Sequence, residues 1–253
     1  MRRKTLLLAA ATSVCLAAAS LAAASETLTL RAGFTPDELG VPTNASFAGT
    51  FASSTASVPS PVTSLAFYLP AGTALDTRGA GSCTAAVLEA HGPGACPASS
   101  RAGFGGGVGV FQLAGETIHE RFALDLFFAP ERPGQVAILA YLLGSSPVTI
   151  EVLLHARQIQ APAPYGLGLV AQIPPIQTLP GASPAAIESA FLTLGAPDVD
   201  YFERRHGKRS LVHIKGVIVP RTCPHGGFPI AATAGFADGG SSTVKTSIAC
   251  PRR

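Results

Sequence analysis

The chain predicts an all-β fold, an antiparallel β-sandwich of jelly-roll-like kind, with ten or more strands and one short helix near 84–90. Three observations predict it. Apolar residues recur with a period of two in segment after segment. Each segment is bounded by Gly, Pro, Asp or Ser, the residues that build turns. Strands do not alternate with long amphipathic helices, as they would in a parallel α/β sheet.

Thr27 to Leu30 alternates, and so does Asn44 to Phe51. Val62 to Leu69 runs into Pro70-Ala71-Gly72, a turn signal. Further apolar or alternating runs cover 104–112, 117–128, 135–143, 147–157, 165–173, 211–219, 229–237 and 242–249. Clusters such as Pro130 to Gly134 and Ala237 to Gly240 separate them. Thr84 to Ala90 puts Ala, Val, Leu and Glu at helical spacing and predicts the short helix. Ser183-Pro184-Ala185-Ala186 has the form of a helix start, with Pro at the first helical position. Residues 187–194 alternate as well, and the surrounding β context favours a strand there.

Arg2, Arg3 and Lys4 precede an apolar run from Leu6 to Ala24 that ends in the small residues Ala22-Ala23-Ala24. That is the pattern of an export signal, with cleavage expected near Ala24/Ser25. Cys15 lies within the run behind Val14, where a lipoprotein signal would have a small residue, so no lipid anchor is expected. Residues 25–253 then form one sandwich domain, with a candidate sub-boundary near 158–164 at Ala161-Pro162-Ala163-Pro164. Without Arg2, Arg3 and Lys4 the 18 basic residues become 15, equal to the 15 acidic ones. A formally neutral mature chain does not suggest nucleic acid or an anionic membrane as partner. It contains no further apolar stretch long enough for a spanning helix. Few lysines, a single asparagine and abundant Ala, Gly and Pro suggest a GC-rich bacterial genome.

Four cysteines remain after the leader: Cys83, Cys96, Cys223 and Cys250. Four allow three pairings. Cys83–Cys96 and Cys223–Cys250 are expected because each closes a local loop, and chain entropy assigns such loops about 3.0 and 3.6 kcal/mol. Metal ligation would require short Cys-x2-Cys spacings, which are absent.

Pro61 to Gly72, Cys83, Leu88 and Cys96-Pro97-Ala98-Ser99-Ser100-Arg101-Ala102-Gly103 form a pattern of leucine-proline-x-glycine, cysteine, then cysteine-proline-x-x-serine-x-x-glycine. Cys223-Pro224, Gly226-Gly227-Phe228, Phe236 to Gly239 and Cys250-Pro251 complete it near the C-terminus. In these parts the chain resembles a group of uncharacterised secreted actinobacterial β proteins. The resemblance thins between 113 and 210. It implies an exported β protein and transfers no catalytic residue.

Gly103, Gly105, Gly107 and Gly109 strip one face of a strand, so that another backbone, aromatic rings or a ligand could approach closely. A dinucleotide loop would require a helix after the glycines, whereas Val108 to Leu113 reads as strand. His91, His119, His155, His206, His213 and His225 are scattered, and His119-Glu120 lacks the second histidine of a zinc-protease helix. No Gly-x-Ser-x-Gly string occurs, and Gly144 to Pro147 and Gly239 to Ser242 read as hairpin turns. Glu116, Glu120, Asp198, Asp200 and Glu203 are available to a glycosidase, but no pair stands out. No catalytic residue, metal or cofactor is expected. Arg204-Arg205-His206-Gly207-Lys208-Arg209 is the one dense charge run and reads as a basic hairpin loop, a solvated turn or an anion contact. The function expected is that of a non-enzymatic extracellular or cell-envelope surface protein. The alternatives are a binding module for a wall glycan or other anionic polymer, using 204–209, and a secreted hydrolase.

Overall fold

The computed structural model of the chain describes residues 26–131, 135–195 and 200–251. The leader and its cleavage site lie outside them. Strands β1 (Glu26–Leu28), β2 (Arg31–Thr35), β3 (Pro42–Ser53), β4 (Val62–Pro70) and β5 (Ala74–Asp76) open the fold. Helix α1 (Ala85–His91) follows, with the Thr84 hydroxyl accepting a hydrogen bond from the Val87 amide as its N-terminal cap. A long meander comes next: β6 (Arg101–Leu113), β7 (Glu116–Ala129), β8 (Ala137–Ser146), β9 (Ile150–Gln160) and β10 (Tyr165–Gln172). The chain ends with β11 (Ala186–Leu194), β12 (Asp200–Arg205), β13 (Lys208–His213), β14 (Gly216–Ile218), β15 (Phe228–Phe236) and β16 (Ser241–Ile248).

The alternation read from sequence becomes alternating burial. In β3, Thr43, Ala45, Phe47 and Phe51 are buried while Ala48 and Thr50 are exposed. Where the sequence is instead continuously apolar, as in Leu126 to Phe128 and Ile138 to Tyr141, both faces are buried. Leu126, Phe128, Ile138 and Ala140 join the main core. Phe127, Leu139 and Tyr141 point the other way and pack with Leu88 of α1 and Cys83.

All ladders are antiparallel. The main sheet runs β16-β15-β4-β10-β9-β8-β7-β6-β11-β3-β14-β5, with β1 and β2 also paired to β3. Ala161–Pro164 joins β9 to β10, which are hydrogen-bonded neighbours. The sheet curls until β16 comes alongside β1 and β2. Rings from strands distant in this order then meet. Phe47 of β3 lies 4.9 Å from Phe67 of β4, and Phe34 of β2 packs edge-on at 5.6 Å against Phe228 of β15. This is the sandwich-like, all-β fold expected.

Glycine makes the curl sterically feasible. A Cβ at Gly103 would lie 2.0 Å from the Thr193 carbonyl oxygen, and one at Gly107 would lie 2.1 Å from that of Ser189. The bare face of β6 therefore admits the backbone of β11. Gly109, one repeat on, has only ordinary contacts, the nearest at 3.4 Å.

Some short elements escape the sequence pattern. The run 211–219 is two strands, because the chain breaks at Ile214-Lys215 and Gly216 takes φ 60°. Strands β2, β5 and β12 are short or sit in mixed sequence.

Both expected disulfides form, Cys83–Cys96 with Cα atoms 5.4 Å apart and Cys223–Cys250 with 5.8 Å. The first brackets α1, and the second closes the base of the β15–β16 hairpin. Replacing Cys83 and Cys96 together by Ala should lower stability by about 3 kcal/mol in urea unfolding. Gly103→Ala should cost about 3 kcal/mol or more through forced displacement of β11, whereas Gly109→Ala should stay within about 0.5 kcal/mol. Thermal or urea unfolding of the two variants checks the contrast.

Candidate functional site

Two features remain once the packing is accounted for. The first is the β12–β13 hairpin, a two-stranded sheet separate from the main one. His206 and Gly207 form its turn with φ of 50° and 80°, the pair of positive values that a tight two-residue hairpin turn requires. The basic run is therefore less of a loop than expected. Arg204 lies opposite Arg209, and Arg205 opposite Lys208, in the ladder itself. Phe202 lies opposite Leu211, two positions further along, on the face shared by Arg204 and Arg209. Phe202 and Leu211 are 56% and 45% exposed. The Arg209 guanidinium stacks over the Phe202 ring, 3.9 Å from its centroid, which holds the charge against an aromatic face. His206, Lys208 and Arg209 are exposed as well.

The second feature is a hollow of about 110 Å³ between the two layers of the curled sheet. Leu28, Phe67, Phe122, Leu154, Ile173 and Ile187 lie among its walls, contributed by elements spread from one end of the chain to the other. No charged side chain lines it. The glycines of β6 do not line it, but their neighbours Phe122 and Phe191 do. Sequence reading missed this hollow. Each wall residue is an ordinary apolar residue of an alternating strand, and only the curl brings them together.

The remaining candidates do not converge. His119 Nδ1 lies 3.0 Å from Glu188 Oε2 on an exposed surface. Glu120 is buried, and its carboxylate accepts hydrogen bonds from the Ser146 and Val148 amides at 2.7 and 2.9 Å. It clamps the turn between β8 and β9, while Glu116 on the same strand is exposed. Asp198 lies outside the described residues. Among the described residues no three His, Cys, Asp or Glu side chains gather as metal ligands. Nor is any helix there long and apolar enough to cross a membrane. Gly239 and Gly240 fall in the β15–β16 turn as expected, whereas Gly144 to Ser146 are still residues of β8 and only Pro147 enters the turn to β9.

No family model, curated protein or solved structure matches this chain. The site must be read from its own geometry.

Among the described residues, one carboxylate has a clearly displaced acidity. Asp76 accepts hydrogen bonds from Arg78 Nε and Nη2 at 2.8 and 2.6 Å and from the Arg78 amide. These hold its pKa down from 3.8 to about 2, with Lys215 adding a smaller pull. A depressed carboxylate contributes stability above its ordinary pKa, and that contribution is lost as pH falls from near 3.8 through about 2. Carboxyl-detected NMR titration should find Asp76 near 2, and Arg78→Ala should return it towards 3.8.

Proposed function

We propose that the protein is a non-enzymatic exported protein of the extracellular space or cell envelope that contacts an anionic wall polymer through the β12–β13 hairpin. We further infer that residues 1–24 are removed on export and that the chain belongs with the secreted actinobacterial proteins it resembles. The disulfides fit an oxidising compartment outside the cytoplasm.

One observation carries the contact. Two successive rungs of the hairpin set cation against cation, Arg204 with Arg209 and Arg205 with Lys208. Like charges directly opposite in a ladder destabilise it. A phosphate or carboxylate bound between them reverses the sign of that interaction. Guanidinium groups suit this task because their planar forks donate paired hydrogen bonds to such oxyanions. Phe202 and Leu211 add an apolar strip beside the cations, suited to the carbon skeleton of a glycan or polyol phosphate. The mature chain is formally neutral, so attraction is local and acts only within about 8 Å at physiological salt.

The reading is tested with soluble poly(glycerol phosphate) and the disulfide-intact protein. The double variant Arg204→Glu/Arg209→Glu should bind at least about tenfold more weakly than wild type, and wild-type binding should weaken steeply as salt is raised. Equal binding by wild type and variant, or binding indifferent to salt, would refute it.

A further inference from the structure

The hollow between the sheet layers is independent of the hairpin and calls for its own account. We propose that it is a binding site for a small uncharged hydrocarbon group, the size of one aromatic ring or a short alkyl chain.

Size is the first argument. At about 110 Å³ the hollow is somewhat smaller than the roughly 150 Å³ apolar cavity that stays dry in another protein and takes up benzene or xenon. The chemistry of the walls is the second. Leu28, Phe67, Phe122, Leu154, Ile173 and Ile187 face it, Thr29 supplies the sole side-chain hydroxyl among its lining residues, and no ionisable side chain lines it. Water needs two to four polar partners to settle in such a space, so the walls favour a hydrocarbon over solvent.

The burial pattern is the third argument. Leu28, Phe67, Phe122, Leu124, Leu142 and Leu154 are large, apolar and only half-buried, although they point between the layers. Leu69, Ile230 and Phe228, in the same interior, are completely buried. Large apolar side chains beside an unfilled space are what a ligand would cover. Access is provided at Phe191, which lines the hollow and is 49% exposed. Phe47, Ala48, Phe191 and Leu192 also border a second, outward-facing cleft, so the rim opens to the surface there.

Benzene is the probe, titrated into methyl-labelled, disulfide-intact protein and followed by NMR. Saturable shifts are expected at the methyls of Leu154, Ile173 and Ile187. Benzoate has the same ring but a carboxylate that this hollow cannot solvate, so it should bind at least about tenfold more weakly. Ala232, almost fully buried in β15, lines the hollow, and Ala232→Leu should fill it and abolish the benzene shifts while raising the melting temperature. If that variant fails to fold, Ala190→Leu, from a half-buried wall position on β11, takes its place. The proposal is overturned if wild type shows no saturable methyl shift, if benzoate binds as well as benzene, or if a folded filling variant binds benzene like wild type.

Discussion

The structure depends on a close approach of two backbones. At Gly103, Gly105 and Gly107 the carbonyl oxygens of β11 occupy the space that a Cβ would need. Any side chain there would push β11 away from β6 and flatten the sheet at that point. Because the space is open, β11 pairs closely with β6, and beyond it β3, with β1 and β2, comes over towards β15 and β16. The Phe47–Phe67 and Phe34–Phe228 contacts lie where these strands meet, as does the apolar hollow between the layers.

Burial of one strand pair on both faces is a second organising feature. Strands β7 and β8 present Leu126, Phe128, Ile138 and Ala140 to the main core and Phe127, Leu139 and Tyr141 to α1. Burial raises the pKa of the Tyr141 phenol, making it a weaker acid, and its hydrogen bond to Glu151 raises it further. A sheet covered on one side alone would alternate, so the unbroken apolar runs in these strands are the signature of a second cover. The cover is small, one short helix, and sulfur chemistry holds it down. Elsewhere polar groups set the local geometry: the Glu120 carboxylate pins the β8–β9 turn through two amides, and Asp76 with Arg78 shapes the end of β5.

Much of this was legible in the residues, and the reasons are specific. Strands such as β3, β4, β15 and β16 alternate because one face meets the core, and their turns carry Gly, Pro or Asp. The disulfide pairing followed from loop length, and the helix from spacing at 84–90. The glycine strand was legible as a bare face, although sequence could not name β11 as what approaches it. Strand β12 was not visible, because Asp200 to Arg205 is polar and charged and its pairing depends on the turn at His206-Gly207. That register also turned a loop-like basic run into two rungs of opposed cations. The hollow was least legible of all. Its walls come from segments up to two hundred positions apart, and nothing within one strand records what stands across from it.

The helix held by Cys83–Cys96 has a further consequence. Phe127, Leu139 and Tyr141 are shielded from water by a single short helix whose two flanking cysteines are joined. Without that bridge the helix is held by the packing of Leu88 and by the hydrogen bond from the Cys83 amide to the Phe128 carbonyl, and its displacement would bare a contiguous apolar patch on the outer face of the sheet. Such patches promote self-association. The bridge therefore adds a covalent restraint that keeps this patch covered.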